Sequence, residues 1–427
     1  MSSSSPKRIA VIGAGISGIS FARMAAERAD VVVFERADRI GGLIRCDWID
    51  GRLFHRVGGH VFNTKNEAVR TWFWSHFDRD REFVATRRQA AIWLEGKLVG
   101  YPIENHLYQL DPAVVERIIE ELLARFGRPV AWGNCTNFRD FLLESFGPTL
   151  FDLYFRPYNE KIWRADLASL PLAWLEGKLP MPDIREIFVQ GILRRPEDRM
   201  VHSSFFYPRR GGSQFIIDRL AEGLTIRLGT PVERIVAVRN GIEVNGERFD
   251  QVVYSGDVRR LSGLLDGVPT SVSSALEPLR GLPANGTSNL FCECDATELT
   301  WLYLPGPDTR AHRIIHTGSL SRENNGPVGT GRSTCVLEFS GMVSRAEMEE
   351  GAARLPGNLS AIAHNHEAAS YVLHTASTRK EVAAAKIALA PLSIHLHGRW
   401  AEWEYYNMDK CMESARYLCD RLLPAPL

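Results

Sequence analysis

The chain has 427 residues, long enough for two or three domains sharing a large core, and its 51 Lys plus Arg balance 51 Asp plus Glu. With zero net charge nothing suggests a nucleic-acid or polyanion surface, and any positive charge that matters must be local. Hydrophobic residues at 45% and charged ones at 24% are ordinary for a soluble globular protein, and no apolar run approaches the length of a membrane span.

Residues 1–6 form a serine-rich leader without the apolar stretch or cleavage site of a signal peptide, which reads as disordered and points to the cytoplasm. The stretch after it organises the rest. Residues 8–12 are a short apolar run of the kind that becomes a buried parallel strand, and Gly13, Gly15 and Gly18 follow at the spacing G-x-G-x-x-G. The first glycine makes a tight turn and the second lets the backbone approach a pyrophosphate. The third lets a helix lie close against the sheet, its N-terminal N–H groups facing the phosphates. Residues 31–34 give a second apolar strand, and Glu35 at its end is where an acid would accept hydrogen bonds from an adenosine ribose. A plain strand-to-helix turn would not need that acid. Arg39-Ile40-Gly41-Gly42 comes directly afterwards and gives a second close backbone approach. This arrangement resembles the FAD-binding oxidoreductases of the amine oxidase type.

Residues 48–62 alternate through a turn at Asp50-Gly51 and arrive at Gly58-Gly59-His60, where two glycines let the backbone lie flat against a partner. Residues 89–99 read as a hairpin through Glu95-Gly96. From Asp111 to about Leu193 the pattern is helical, opened by a capping Asp111 and a first-turn Pro112. The run Arg156-Pro157-Tyr158-Asn159-Glu160-Lys161-Ile162-Trp163 mixes aromatics with polar groups in a way a plain buried helix junction does not explain. Residues 225–228, 232–238 and 251–255 read as strands re-entering the dinucleotide domain, which sets the backbone of Val232 beside the adenosine. Residues 291–305 and 335–340 read as strands of a separate antiparallel sheet, with a polar, glycine-rich loop in residues 310–340. The last helix runs to about Leu423.

Seven cysteines are scattered without a C-x-x-C pair. Cys292 and Cys294 share one face of an apparent strand, but no second pair completes a thiolate site. Reduced structural thiols, and no metal, are the expectation.

Taken together, Gly58-Gly59-His60, the run from Arg156 to Trp163, Tyr207-Pro208-Arg209-Arg210-Gly211-Gly212, and Gly398-Arg399 through Tyr405 to Met408-Asp409 resemble the UDP-galactopyranose mutases. The resemblance runs over nearly the whole chain and is nearer to the eukaryotic-type members. It implies a nucleotide-diphosphate sugar as partner, and FAD that is active when reduced, its N5 attacking the anomeric carbon while the diphosphate leaves. It also implies that Arg313 and Arg399 clamp the diphosphate bidentately, with Tyr303 and Tyr405 donating hydroxyls. Without it, Arg399 reads as a surface ion pair and Arg313 as a solvated loop residue. His60 would lie against the flavin by its backbone, and Gly59, Gly398, Met408 and Asp409 would line the same group. The N-terminal N–H groups of the last helix would stabilise charge on the reduced ring. Tyr101, Tyr158 and Trp163 would wall the substrate pocket; Asn159 either reaches polar groups there or packs.

Three positions depart from the pattern. Lys178 stands where an arginine of an active-site loop is expected, and His202 where an asparagine lies near the sugar. Glu104 stands where a glutamine reads uracil. An ionised glutamate only accepts hydrogen bonds, so it opposes uracil O4 and suits two adjacent donors, as on guanine; pairing with Lys97 is the plainer alternative.

The expected architecture is α/β: an FAD-binding Rossmann-like domain (residues 1–75, 205–260 and 385–427), a helical insertion (105–204), and an antiparallel sheet domain (76–104 and 261–384). The expected reaction is non-redox pyranose/furanose isomerisation. The rival class is a flavin oxidoreductase, which shares the glycine motifs but gives no reason for Arg313, Arg399, Tyr303 and Tyr405 to converge. Nothing suggests nucleic-acid or membrane partners, and self-association is left open.

Overall fold

The computed structural model describes residues 6–127, 135–172, 183–194, 203–239, 241–326 and 331–424. Strand β1 (Arg8–Ile12) is apolar on both sides, as a strand covered on two faces must be. It leads through the glycine turn into α1 (Ile16–Ala25) and then β2 (Asp30–Phe34). These two strands lie inside a five-stranded parallel sheet, flanked by Gln251–Tyr254 and Ile394–Leu396 on one side and Thr225–Arg227 on the other. Ile9 and Val11 face a core with Phe21 of α1, Ile216 and Met412. Ala10 and Ile12 face the opposite core with Phe249, Leu389 and Trp403. Of the strands expected after residue 224, only the first and last enter this sheet. Ile235–Val238 pairs antiparallel with Gly241–Val244 in a small four-stranded sheet, and Val232 lies in the loop before it.

A hairpin of Cys46–Ile49 and Arg52–His55 turns at Asp50 (φ 50°) and Gly51 (φ 75°), two left-handed residues that match the twist of the paired strands. Strands β3 (Ala90–Leu94) and β4 (Lys97–Gly100) follow as a second hairpin. The helical insertion begins where Asp111 accepts the Ala113 N–H (2.9 Å) ahead of helix Pro112–Arg125. Asn137 caps Phe138–Leu150 in the same way, accepting the Asp140 N–H at 3.0 Å. Helix α2 (Arg156–Trp163) ends at the left-handed Arg164.

The large sheet is built from β5 (Ala284–Asp295), β6 (Trp301–Tyr303), β7 (Ala311–Ile315), β8 (Arg332–Ser340) and β9 (Ser360–Val372), joined by the β3–β4 hairpin in the order β9-β5-β8-β7-β6-β3-β4. Its neighbours are antiparallel except at β3/β6, where Ala90 pairs with Trp301 in parallel. The polar loop expected over residues 310–340 is bounded by two strands, β7 and β8, with short helical turns at Thr317–Leu320 and Arg322–Asn324 between them, and Arg313 sits on β7. A bulge between Ala311 and Arg313 on that strand turns His312 and Arg313 to the same partner on β8. Val336 of β8 faces the helical insertion, whereas Cys335, Leu337 and Phe339 face a core closed by Met348. The chain ends its described part in α3 (Met408–Leu422), packed on α1. Among the described residues no helix is long and apolar enough to cross a membrane.

Candidate active site

The glycine turn works through close contact. Gly13 has φ 104°, and a Cβ on Gly18 would collide with the Gly13 carbonyl, so α1 can start hard against β1 only with glycine there. The N-cap of α1 is Gly15, with no side-chain cap and no acid in the first turn. Its N–H groups and positive dipole end therefore face outward uncompensated. Gly15 bridges Gly41, whose N–H donates to the Ala14 carbonyl (2.9 Å), so the two glycine loops lie face to face. The Glu35 carboxylate ties this corner together, accepting the N–H of Ala14 (2.7 Å) and of Ala37 (2.9 Å).

A cavity of about 760 Å³ opens here, lined by Gly13, Gly15, Glu35, Gly41, Gly42 and Val232 and continuing past Gly59, His60 and Met408 to Tyr303, Arg313, Arg399 and Tyr405. A larger recess of about 1060 Å³ lies elsewhere, against Trp48, Arg209 and Arg210, and holds none of the expected site residues. The smaller cavity is the better candidate because the unpaired polar groups converge on it.

Those groups are arginines. Arg313 Nη2 donates to Glu338 Oε1 (2.7 Å) and to the Tyr371 hydroxyl (2.9 Å), and that hydroxyl donates to the same carboxylate oxygen at 2.7 Å. Glu338 is fully buried and also takes the Gly58 N–H (2.9 Å) on its other oxygen, with His312 Nε2 at 2.9 Å from the first. Burial opposes its ionisation, but Arg313, His312 and Tyr371 outweigh that and hold the carboxyl well below its usual range. Burial likewise opposes the charge on Arg313, and Glu338 and the surrounding phenols more than restore it. Arg399 lies 4.2 Å from the Tyr405 ring centre and 5.9 Å from that of Tyr371, and these two rings stack at 6.0 Å. Arg313 Nε and Arg399 Nε and Nη2 are buried without a hydrogen-bond partner among the described residues. Buried guanidinium donors left in this state fit an anionic ligand with several acceptor oxygens.

His60 has burial, then Arg399 and Arg313, pushing its pKa down to about 4. Its ring is therefore neutral at pH 7, with Nε2–H donating to the Leu43 carbonyl (3.1 Å). Tyr101 and Tyr303 pack at 4.7 Å, Tyr158 meets Tyr303 edge-on at 5.3 Å, and Trp163 meets Tyr371 edge-on at 5.8 Å. Burial raises the Tyr158 and Tyr371 phenols, which keeps them protonated as donors. Asn159 donates to the Phe155 carbonyl (2.7 Å) and accepts from Trp163 Nε1 (3.2 Å), so its amide is used inside the helix.

Tyr101, Tyr158, Asn159 and Trp163 are not part of the cavity lining, and neither are the remaining expected residues. Gly398 (φ 89°) is pressed on Ser17 of α1, Gly18 acts through packing, and the half-buried Asp409 lies in the first turn of α3. Glu104 sits in the short turn Ile103–Asn105, near enough for its charge to add to the burial that raises the Tyr154 phenol. Lys178 and His202 lie outside the described residues. Sequence reasoning missed Glu338, Tyr371 and Arg88. Arg88 donates to the Tyr303 hydroxyl and lies over the Tyr101 and Trp301 rings at 5.0 and 5.3 Å. A glutamate inside the apolar run Cys335-Val336-Leu337-Glu338-Phe339 was a legible signal, since such a charge is buried only when paired.

Residues 11–77 match the family model of the NAD(P)-binding Rossmann-like domain. The chain is 26% identical over 190 residues to a probable UDP-galactopyranose mutase of Klebsiella pneumoniae, covering 41% of this chain and 45% of that protein. It is 22% identical over 288 residues to a coproporphyrinogen III oxidase of Mycobacterium bovis, covering 63% of each. The matched stretches thus span less than two thirds of either relative. A solved structure of reduced UDP-galactopyranose mutase superposes with a TM-score of 0.87 at 21% identity, covering 98% of this chain and 95% of that one, which establishes the fold. That fold runs across nearly the whole chain, and UDP-galactopyranose and dTDP-fucopyranose mutases are among its sequence relatives.

Proposed function

We propose that the protein interconverts the pyranose and furanose forms of a nucleotide-diphosphate sugar without net redox change, holding FAD at the two glycine loops and Glu35. The observation that carries this reading is the pair Arg313 and Arg399, whose unpartnered buried nitrogens line the same cavity as the uncapped end of α1. Reduced flavin, when bound, would supply the N5 nucleophile for the anomeric carbon, and the chain's own side chains do the rest. Arg313 and Arg399 hold the diphosphate when its bond to the sugar breaks and keep it close for return. Their attraction would be strengthened where a bound ligand displaces water from a cavity lined by Tyr303, Tyr371 and Tyr405, with Tyr101 and Tyr158 packed behind Tyr303. Protonated phenols there donate to developing negative charge. Neutral His60 adds no competing cation, and the N-terminal N–H groups of α3 favour negative charge beside Met408. A flavin oxidoreductase would share the glycine loops but would leave the two clamping arginines without a role.

Anaerobic protein with dithionite-reduced FAD, offered UDP-, dTDP- and GDP-hexopyranoses, tests this, with conversion followed by chromatography and proton NMR. Furanose product that requires reduced flavin is the expected result. Reduction of the oxidised flavin by a small substrate, with no sugar conversion, replaces the reading with the oxidoreductase one.

A further inference from the structure

The thiol pair that sequence reading left without a partner gains one in the fold. Cys292 and Cys294 lie on β5, and the antiparallel register sets Cys292 directly across from Cys335 of β8. His316, one residue past the end of β7, brings its ring to the same place, with Nδ1 at 3.7 Å from Cys294 Sγ. The ligand atoms of Cys294, His316 and Cys335 all lie within 4.8 Å of one another. We propose that Cys294, Cys335 and His316 form a site for a zinc-type divalent cation on the back of the seven-stranded sheet, with Cys292, across from Cys335 but outside that cluster, turning in to take the fourth position.

The spacing is that of ligands around one ion. Zinc–sulfur bonds of about 2.3 Å and a zinc–nitrogen bond of about 2.0 Å at tetrahedral angles hold sulfur and nitrogen roughly 3.6 Å apart, so the pair observed at 3.7 Å needs little movement. The donors are soft, which selects zinc over calcium or magnesium. Cys292, Cys294 and Cys335 have no exposed surface and His316 has 6%, so the site is closed, as structural zinc sites are. His316 Nε2 is buried without a hydrogen-bond partner among the described residues, so that nitrogen does not account for the ring's position. The ionisations of these neighbouring thiols are linked, Cys294 being shifted down by Cys335 and His316 while Cys335 is pushed up by Cys292, Cys294 and burial, so the spacing alone carries the site. Arg332 would offset the negative charge of three thiolates on one divalent ion. An ion here ties β5, β8 and the end of β7 together behind Arg313 and Glu338, which sit on β7 and β8. The site is independent of which sugar the front of the sheet takes.

The test uses the flavin-loaded protein purified in reductant. Metal analysis should find about one zinc per chain, as a structural site requires. Replacement by cobalt(II) should give a thiolate charge-transfer band that is lost in Cys294→Ala and Cys335→Ala and kept in Cys46→Ala. Where the first two variants do not fold, X-ray absorption at the zinc edge of the wild type decides. A sulfur-rich shell with one imidazole supports the site, and a shell of oxygens overturns it. A wild type that takes up neither metal, or that holds a Cys292–Cys335 or Cys294–Cys335 disulfide in reducing buffer, also overturns it.

Discussion

Arg313 and Glu338 meet across neighbouring strands at 2.7 Å, in a position where the carboxylate has no contact with solvent. Through its other oxygen Glu338 holds the Gly58 N–H, so one side chain fixes both Arg313 and the glycine bend before His60. Removing one member of a buried pair leaves the other uncompensated, at about 3–5 kcal/mol. Glu338→Ala should lower stability by that order in chemical denaturation. Glu338→Gln keeps the shape, loses the charge, and should cut kcat/KM by roughly 10–100-fold, about 1.4–2.7 kcal/mol of transition-state stabilisation. Wild-type turnover in Glu338→Gln would rule out the positioning role.

Arg399→Lys and Arg313→Lys keep the charge but lose the planar fork. Each should weaken nucleoside diphosphate binding about tenfold or more, or about 1.4 kcal/mol. The flavin absorption spectrum should not change, because the glycine loops are untouched. Titration of each variant with UDP and GDP, read by flavin fluorescence, checks this.

Acid should destabilise the fold through His60. Burial and the two arginines hold its pKa at about 4 in the folded chain against an ordinary 6.5. The unfolded chain therefore takes up the proton first. Stability from neutral His60 is complete above pH 6.5, falls as pH drops from 6.5 to about 4, and is fully lost below that, at about 3 kcal/mol. His55, held at about 3 mainly by burial, adds in the same direction. Denaturant midpoints between pH 7 and pH 4 should fall less steeply in His60→Gln than in wild type.

Gly398→Ala should destabilise by about 1–3 kcal/mol, because its backbone is left-handed and its new Cβ would strike the Ser17 side chain. Adding Ser17→Gly relieves the clash but not the backbone conformation. The double variant should recover part of the melting temperature and not all of it; full recovery would mean that contact alone sets the cost.

Glu104 should decide the base. With an accepting carboxylate near Tyr154, binding of GDP should exceed that of UDP, and Glu104→Gln should narrow or reverse the preference. Calorimetric titration of both proteins with both nucleotides reads it. Strong UDP binding that Glu104→Gln leaves alone would end this assignment.

What the sequence disclosed was local. The glycine turn, the Asp50-Gly51 hairpin and the Asp111 cap are each fixed by residues a few positions apart, and each formed where its chemistry required. Strand β9 was missed because nearly all of it is only partly covered, so the polar run Ala363-His364-Asn365-His366-Glu367 shows no buried face. The β-strand setting of Arg313 was missed because a bulge breaks the alternation that would have announced it. Glu338 had its signal in an apolar run, but its meaning depends on Arg313, Tyr371 and Gly58, which come from three other segments of the chain.

The order in which the strands are laid down bears on how the protein is made. The N-terminal β1 waits for residues 251–254 and they in turn for residues 394–396, while β3 waits for residues 301–303. The parallel sheet cannot close until nearly 400 residues have left the ribosome, and the seven-stranded sheet not until its strand Ser360–Val372 has done so. Such sequence-distant pairing folds slowly and leaves apolar edges bare in the meantime. Chaperone protection during synthesis is the natural corollary.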